Sequence, residues 1–505
     1  MKRLFAALTL LALLLCSCAV PGSQNGENAT CPHTDSDENG ICDSCEISVR
    51  VSFDLLAIND LHGKLADADT HPGVNELTSY IRKLRGKGDV ILLSSGDMWQ
   101  GSSESNLTQG NIITDWMNHM KFASMTLGNH EYDWGSQAIR ANRDIAQFPF
   151  LGINVYDRQT QSRVDYCDAS TVVDLGSVQV GIIGAMGDCY SSIAADKSKD
   201  VYFVTGDELT QLVMDEATRL RQQGADFIVY SIHDGYGDSR PNSVADVTAS
   251  RLADYYDTDL SDGYVDIVFE GHTHQRYVLR DEHGVYHLQG GGDNKGVTQA
   301  TVYINIATGK VSVTEAALVP TEKYANMGGD AIVDTLMEKY KDQVSTADKL
   351  LGKNSKVRYR DELRQQVADL YYEAALERWG ENYDIVLAGG FMSVRSPNSL
   401  AAGNVTYGMV QSLFPFDNEL VLCTISGRDL KSKFFETDNA NYFISYGTYG
   451  EEVRRNIDPN GTYYVVTDTY SSTYAPNNMT EVERYGQAVY ARDLLAAYIA
   501  TGAYE

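Results

Sequence analysis

Residues 122–133 read FASMTLGNHEYD, a segment whose two halves differ in character. Its first half is an apolar run with the length of a buried β-strand. Its second half starts with Gly128 and places an amide, an imidazole and two carboxylates directly after the run. Glycine permits the sharp turns that bring short polar side chains to the edge of a sheet. The stretch therefore predicts an α/β protein with functional groups at the end of a strand.

The same arrangement recurs over residues 51–275, where apolar runs alternate with helical patterns. The runs that end in polar loops, and that we predict to be strands, are residues 51–58, 90–93, 122–127, 227–232 and 265–269. The loops after them carry, in chain order, Asp60, His62, Asp97, Asn129, His130, His233, His272 and His274. Because sites in open α/β sheets lie outside the carboxyl ends of the strands, we expect these side chains to converge.

The polar groups in these loops are typical metal ligands. Five of the ten histidines of the chain lie in them. Imidazole combined with carboxylate and amide oxygen suits Mn, Zn, Fe or Co better than Ca or Mg. A carboxylate can also bridge two cations about 3.5–4 Å apart. The sequence therefore predicts a site for two divalent cations, of which Mn or Zn are favoured.

The charge of the chain restricts its partners. The 505 residues include 41 Lys and Arg against 69 Asp and Glu, which gives a formal charge of −28. Such a field repels nucleic acid polymers, so we expect no binding of DNA or RNA. It also repels small phosphates, so a phosphate site needs strong local positive charge, which two divalent cations would supply. A hydrophobic content of 43% indicates a folded protein, and the length predicts two to four domains.

The motifs resemble, in type and order, those of the calcineurin-like metallophosphoesterases. The longer forms resemble the extracellular 5′-nucleotidase, UDP-sugar hydrolase and 2′,3′-cyclic phosphodiesterase branch; they are Asn-Asp-Leu-His-Gly at 59–63, Gly-Asn-His-Glu-Tyr-Asp at 128–133 and Gly-His-Thr-His at 271–274. The resemblance is strong over residues 51–305 and weaker over 350–505. It implies an N-terminal metallophosphoesterase β-sandwich flanked by helices and a C-terminal α/β substrate domain. The implied boundaries are 49–325, a helical linker 326–350, and 351–505.

The resemblance also implies a role for each residue of the motifs. One metal would be held by Asp60, His62 and His274, the other by Asn129, His233 and His272, with Asp97 bridging them. His130 would stabilise charge on the phosphoryl group or protonate the leaving oxygen. Asp133 would orient His130 and fix its tautomer. Asn59 and Glu131 either support the ligands from behind or hydrogen-bond within their own loops.

The implied activity is hydrolysis of nucleotide phosphate esters by metal-activated water. The alternatives within the same class are hydrolysis of 2′,3′-cyclic nucleotides or of UDP-sugars. An alternative of a different class is a surface binding protein that kept the fold without turnover. Such a protein would be expected to lack a ligand or the histidine beside the metals, and all of them are present in this sequence.

The C-terminal half predicts the substrate contacts. Residues 384–387 are predicted to form a strand, and Arg395 follows in a glycine-containing loop where it could grip a phosphate as a planar fork. Tyr442, Phe443 and Tyr474 are the candidate faces for stacking on a base. The family has an asparagine where this loop has Ala388, and its late glycine-rich segment is replaced here by residues 470–485. These departures leave the identity of the base open.

The first residues predict export. Residues 1–18 combine a basic start with an apolar run too short to span a membrane, as in a signal peptide. Leu15-Cys-Ser-Cys18 looks like a bacterial lipobox, in which Cys18 becomes the lipidated first residue. The alternative is ordinary cleavage near residues 19–22. The expectation is an exported bacterial lipoprotein on a membrane or cell surface.

Residues 19–48 are expected to form a polar tether, and residues 31–46 within it leave three possibilities open. Asp35, Asp37, Asn39, Gly40 and Glu46 fit a calcium-loop pattern, although no amphipathic helices flank it. The four residues Cys31, His33, Cys42 and Cys45 fit a small zinc site or a disulfide clip. A solvated acidic segment is the third possibility. Whether Cys167 and Cys189 pair is also left open.

Overall fold

The computed structural model describes residues 31, 33–66, 73–235, 264–281, 284–391, 393–395, 397–435, 442–445, 456–473, 478–486 and 489–505. The predicted signal peptide and Cys18 lie outside these residues. None of the helices in the described part of the chain combines the length and the apolar character that crossing a bilayer requires.

The N-terminal half is built on two six-stranded sheets. Its strands are β1 (Arg50–Ile58), β2 (Asp89–Ser94), β3 (Ser124–Thr126), β4 (Phe150–Leu151), β5 (Val155–Asp157), β6 (Ser170–Asp174), β7 (Gln179–Met186), β8 (Val201–Phe203), β9 (Phe227–His233), β10 (Ile267–Phe269), β11 (Arg276–Arg280), β12 (Tyr286–Gly290), β13 (Gly296–Asn305) and β14 (Lys310–Pro320). The first sheet has the order β14-β13-β1-β2-β3-β4, and the second has the order β11-β12-β10-β9-β7-β6.

The five strands predicted from the sequence are confirmed as β1, β2, β3, β9 and β10. Strands β1 to β4 are parallel, and so are β7, β9, β10 and β12. Their registers align the strand ends, since Ile58 pairs with Ser94 and Ser231 pairs with Phe269. The carboxyl ends of both sheets therefore meet at one edge of the molecule.

The two sheets pack face to face. The side chains of β1 point alternately to the space between the sheets and to the helical layer. Phe53, Leu55 and Ala57 point between the sheets and are buried, while Leu56 and Ile58 point to the helical layer. In a strand, successive side chains point to opposite faces, so β1 supplies both cores. The ring of Phe53 meets that of Phe227 from the opposite sheet edge to face, with centroids 6.0 Å apart. The predicted β-sandwich is confirmed.

Helices cover the outer faces of the sandwich. In the N-terminal half they are α1 (Val74–Arg85), α2 (Ser103–Leu107), α3 (Asn111–Met120), α4 (Ser136–Ile145) and α5 (Gly206–Gln222). The apolar faces of α1, α3 and α4 pack on the first sheet, and α5 packs on the second. The predicted helical linker contains α6 (Ile332–Lys339) and α7 (Lys341–Val344). It is docked rather than free, because Tyr340 donates a hydrogen bond to Asp115 of α3 at 2.6 Å.

The C-terminal half contains a mixed sheet of five strands and two small sheets of two strands each. Its strands are β15 (Leu350–Asn354), β16 (Arg358–Tyr359), β17 (Ile385–Phe391), β18 (Ser399–Leu400), β19 (Gly403–Thr406), β20 (Leu420–Ser426), β21 (Tyr442–Ser445), β22 (Thr462–Asp468) and β23 (Thr480–Arg484). Its helices are α8 (Arg360–Trp379), α9 (Tyr407–Leu413), α10 (Gly427–Leu430), α11 (Thr469–Thr473) and α12 (Ala491–Ala500). The five-stranded sheet has the order β21-β17-β22-β20-β23, and α8 packs on it. The α/β character of both halves is confirmed, whereas the boundaries at 49, 325 and 351 remain predictions.

Strand β17, which lies between β21 and β22, is longer than predicted. Residues 384–387 were expected as a strand followed by a glycine-containing loop, but β17 continues to Phe391. The reason is a neighbour that local sequence does not reveal: residues 388–391 pair antiparallel with β21. Arg395 therefore stands just beyond the carboxyl end of a central strand, at the kind of position where the first sheet carries its polar loops.

The structure describes most of the cysteine-containing tether and the surroundings of Cys167 and Cys189. Residues 33–48, part of the expected tether, form a folded loop in which Asp35 and Cys42 are buried. Cys167 and Cys189 are both free: the Cys167 thiol points to the carbonyl of Gly152, and the Cys189 thiol points to that of His233.

Candidate active site

The seven predicted metal ligands converge at the carboxyl edge of the sandwich. One group joins the loop after β1 to the loop after β10. Within it Nε2 of His62 lies 3.0 Å from Nε2 of His274, which in turn lies 3.3 Å from Oδ1 of Asp60. Two imidazole nitrogens and a carboxylate oxygen, all within 4.8 Å of one another, form a set that can share a cation.

A second group lies beside the first. Oδ2 of Asp97 is 3.1 Å from Nε2 of His233, and Nδ1 of His272 is 3.0 Å from Oδ1 of Asn129. Carboxylate oxygens of Asp60 and Asp97 and a ring nitrogen of His233 also lie within 4.8 Å of one another. Asp97 therefore stands between the two groups, where a bridging carboxylate is expected.

The backbone in these loops is strained. Left-handed φ values between 50° and 69° occur at five of the seven residues: Asp60, His62, Asp97, His272 and His274. A non-glycine residue in this region costs roughly 1–2 kcal/mol. Such strain persists only where the surrounding structure overrides it, and it concentrates at functional sites.

Glycines allow the loops to approach each other closely. A Cβ placed on Gly128 would lie 2.3 Å from Oδ1 of Asp97, and one on Gly271 would lie 2.8 Å from Nδ1 of His233. Both contacts are shorter than a carbon atom can make. The recurring glycines next to the ligands are therefore required by the packing of the ligands themselves.

Backbone carbonyls orient two of the imidazoles. Nδ1 of His62 lies 2.8 Å from the carbonyl of Gln100, and Nδ1 of His233 lies 2.6 Å from that of Ser95. A carbonyl can only accept a hydrogen bond, so each ring donates from Nδ1. The lone pair of each Nε2 then faces the other ligands, as metal-binding histidines require.

Glu131 and Asn59 support the ligand loops from behind. The Glu131 carboxylate accepts hydrogen bonds from the backbone N–H groups of Asp97 at 2.9 Å, Gly128 at 2.7 Å and Met98 at 2.9 Å. Asn59 donates to Asp60 at 2.5 Å and accepts from Gly290 at 2.9 Å. Burial, reinforced by the charge of Asp97, raises the pKa of Glu131 to about 7.

In the metal-free chain, burial and the charges of neighbouring side chains set the protonation of the predicted ligands. Burial lowers the pKa of His272 to about 4 and that of His62 well below its usual value, so both rings are neutral at pH 7. Burial opposes ionisation of Asp97, but His233 and His130 outweigh it and hold the pKa of Asp97 well below its ordinary value. At His233 the charge of Asp97 outweighs burial and raises the pKa to about 10, so this ring would have to give up its proton to a bound cation.

His130 lies beside the two groups, at the boundary between the halves of the chain. Its Nδ1 donates to Oδ2 of Asp133 at 2.8 Å, within one helical turn. Its Nε2 accepts from a guanidinium nitrogen of Arg395 at 2.5 Å. The Arg395 guanidinium also lies 5.2 Å from the ring of Phe416. Arg395, predicted from the C-terminal half, thus reaches the side chain predicted to act beside the metals.

A cleft of about 450 Å³ opens at this meeting point. The N-terminal half lines it with Asp97, Asn129, His130, His272 and His274, and the C-terminal half adds Phe391, Arg395, Phe416, Asn418 and Tyr470. The rings of Phe391 and Tyr470 are 5.9 Å apart. The cleft therefore has a polar end at the ligands and an aromatic side supplied by the other half.

The aromatic residues of this cleft differ from those predicted. Phe443 packs on the C-terminal core with its ring 5.3 Å from the Arg364 guanidinium, and it is not among the described residues that line the cleft, so its role as a stacking face stays a prediction. Tyr442 pairs through its backbone with Phe391 in the sheet. Tyr474 lies outside the described residues and remains a prediction. The sequence does not single out Phe391, because a strand is predicted only over residues 384–387 and β17 continues to Phe391.

Gln289 is a positioning residue that the sequence patterns did not indicate. It is buried on β12, and its amide donates to the carbonyl of Gly271 at 2.9 Å. Its oxygen accepts from Thr273 at 2.8 Å and from the backbone N–H of Gln275 at 2.7 Å. Its place near the carboxyl end of a strand parallel to β10 was the one available signal.

The comparisons with known proteins agree with this architecture. The chain matches the family described as calcineurin-like phosphoesterase over residues 53–276 and that described as 5′-nucleotidase, C-terminal domain, over residues 343–449. The protein UshA of Yersinia enterocolitica is 25% identical over 490 residues, covering 83% of this chain and 84% of UshA. A 5′-nucleotidase of Vibrio parahaemolyticus is 24% identical, covering 74% of this chain and 73% of its own length. The crystal structure of a 5′-nucleotidase precursor from Thermus thermophilus has a TM-score of 0.67 at 19% identity, covering 89% of this chain and 96% of that one.

The sandwich, the converged loops and these matches define a metallophosphoesterase, a hydrolase that binds divalent metal ions. The prediction of an enzyme rather than a binding protein is confirmed. The chain belongs to the calcineurin-like phosphoesterases, and to those among them that carry a 5′-nucleotidase C-terminal domain.

We predict that Gln289→Leu weakens metal binding without unfolding the chain. Leucine fills the space but leaves the Gly271–Gln275 loop without three hydrogen bonds. Loss of such outer contacts costs roughly 10–100-fold in metal affinity. Titration of the metal-depleted protein with Mn²⁺ measures the change.

The matched control is Gln299→Leu. Gln299 lies on β13, in the first sheet, and its side-chain oxygen accepts a hydrogen bond from the Tyr80 hydroxyl. This variant should bind Mn²⁺ as the wild type does. Equal affinities for both variants would contradict a positioning role for Gln289.

Proposed function

We propose that this enzyme releases phosphate from nucleotides, with nucleoside 5′-monophosphates as its main substrates, after export from a bacterial cell. One observation carries the proposal. The two ligand groups lie in one cleft together with His130 and Arg395, and this cleft has an aromatic side. This arrangement offers cationic and imidazole groups to a phosphate and flat faces to a base. The relatives named as 5′-nucleotidases support the same substrate class.

The ligand groups would hold two cations. We assign Asp60, His62 and His274 to one, Asn129, His233 and His272 to the other, and Asp97 to a bridge between them. The donors fit Mn or Zn, because imidazole nitrogens accompany the carboxylates. When bound, the cations would activate a water as nucleophile and withdraw charge from the phosphoryl oxygens.

His130 would act on the phosphoryl group or on the leaving oxygen. Its hydrogen bond to Asp133 fixes the proton on Nδ1 and the orientation of the ring. Nε2 then faces the cleft, where it can hold or deliver a proton. The short chain separation of the two residues keeps this orientation independent of the C-terminal half.

Arg395 would grip the phosphate. Its guanidinium reaches His130 through one nitrogen, while its Nε is buried and makes no hydrogen bond within the described residues. A buried cationic donor without a partner is costly, and a phosphate oxygen would satisfy it. Phe391, Phe416 and Tyr470 would then contact the nucleoside and offer aromatic faces to its base.

Export and lipidation are supported by the first residues of the sequence. The basic start, the short apolar run and the lipobox-like end place the modified residue at Cys18. In a bacterial host, Cys18→Ser should move the protein from the membrane fraction to the soluble fraction. Equal distribution of both forms would refute the anchor and leave the proposed reaction unaffected.

A substrate panel tests the activity. We expect the full chain to release phosphate from AMP faster than from UDP-glucose, 2′,3′-cyclic AMP or p-nitrophenyl phosphate. EDTA should abolish the release, and Mn²⁺ or Zn²⁺ should restore it. A faster reaction with UDP-glucose or the cyclic nucleotide would identify the alternative substrate class, and no release from any ester would refute the proposal.

Replacement of His130 separates catalysis from metal binding. His130→Asn should lower the turnover of AMP by roughly 10²–10⁴-fold, as expected for loss of a proton-transfer group, while metal content stays at the wild-type value. His119→Asn, on the exposed end of α3, is the control and should leave both quantities unchanged. A collapse of metal content in His130→Asn would mean that His130 is a ligand.

A further inference from the structure

A folded loop precedes the sandwich at the end away from the cleft. Residues 33–48 turn back on themselves through hydrogen bonds from Cys42 N to the Ile47 carbonyl, 2.8 Å, and from Val49 N to the Gly40 carbonyl, 3.0 Å. The loop runs directly into the amino end of β1, whereas the cleft lies at the carboxyl end of this strand. It therefore has no part in the proposed reaction.

Four side chains of this segment point their ligand atoms at one another. The Sγ atoms of Cys31 and Cys42 are 3.4 Å apart, and Sγ of Cys45 lies 3.6 Å from Nδ1 of His33. All four atoms lie within 4.8 Å of one another. Three thiols and an imidazole thus form a closed group that is half-buried, with Cys42 fully buried.

The spacing is that of a shared tetrahedral ion. Zinc binds sulfur at about 2.3 Å and imidazole nitrogen at about 2.0–2.1 Å, so tetrahedral angles place two sulfurs about 3.8 Å apart and a sulfur and a nitrogen about 3.5 Å apart. The two closest contacts in the group are near these values. A disulfide requires about 2.05 Å between sulfurs, and the cysteines here are free.

Calcium is the weaker interpretation of the same segment. The Asp35 carboxylate is already occupied: it accepts from Asn39 N at 3.0 Å, from Gly40 N at 2.9 Å and from the Asn305 amide at 2.6 Å. Glu46, which the calcium pattern needs as its last ligand, is exposed and does not belong to the carboxylate group of the loop. The acidic residues therefore fold the loop and attach it to the sandwich.

We propose that Cys31, His33, Cys42 and Cys45 bind one structural Zn²⁺ ion. Four protein ligands leave no position for a substrate, which is the mark of a structural site. The ion would fix the loop whose Asp35 and Val49 bond to Asn305 and Ile306, at the turn between β13 and β14. This gives the chain before residue 31 a rigid point of attachment, remote from the cleft.

Metal analysis of variants tests the proposal with the full chain. Purified without added metal and dialysed against a mild chelator, the wild type should retain about one Zn per chain that Cys42→Ser and Cys45→Ser both lose. Cys45 is half-exposed, so its variant guards against misfolding of the buried one. Both variants should hydrolyse AMP at the wild-type rate when Mn²⁺ is added, because the cleft ligands are untouched. Cys423→Ser, in the C-terminal sheet, is the control and should keep the zinc.

Spectroscopy assigns the ion to the thiols. Loaded with Cd²⁺, the wild type and Cys423→Ser should show thiolate-to-metal charge transfer that Cys42→Ser and Cys45→Ser lack. Cys189→Ser is included because Cys189 lies near His233 and His272, and it should keep the band.

Three results would overturn the proposal. The first is equal zinc content in the wild type and both variants. The second is a bond between Cys31 and Cys42 in protein from its own host, detected as thiols that alkylate only after reduction. The third is stabilisation by Ca²⁺ that Asp37→Asn abolishes while zinc has no effect.

Discussion

The repulsion between buried carboxylates at the carboxyl edge of the sandwich is the constraint on which the site depends. Asp60 and Asp97 bring oxygen atoms within 4.8 Å of each other, and both residues are buried. Two such charges repel by about 3–4 kcal/mol at an effective dielectric constant of 20. The arrangement is stable with positive charge between them, which divalent cations supply. The same cations give an enzyme of net charge −28 a local attraction for phosphate.

The scaffold holds these ligands by overriding the preferences of their own backbone. The registers of the parallel strands in the two sheets bring the ends of these strands to one edge. Left-handed turns then direct the ligand side chains inward. Glu131 and Gln289 then tie the loops together through backbone hydrogen bonds. This support from behind explains how a site with several strained residues persists in one geometry.

The predicted ligands all come from the N-terminal half, whereas the C-terminal half completes the cleft. Arg395 is its one described side chain that hydrogen-bonds to His130, and Phe416 stacks on that histidine with ring centroids 5.8 Å apart. In the proposed reaction the N-terminal half would supply the ligand groups and His130, and the C-terminal half would supply Arg395 and the aromatic contacts to the rest of the substrate. Changes in the aromatic side of the cleft can alter specificity while the ligands stay in place.

The five strands and the ligand loops could be predicted from the sequence because each depends on a short segment of local pattern, and the His130–Asp133 pair followed from the resemblance of the GNHEYD motif. The tertiary structure alone decided Gln289 and the aromatic lining, because these side chains come from segments distant in the chain. The position of Phe443 depends on how β21 pairs with β17, which no local pattern encodes. Likewise the sequence of residues 31–46 allowed a calcium site, a zinc or disulfide site, or a solvated acidic segment, and the proposal of zinc rests on distances between sulfur and nitrogen atoms that only folding sets.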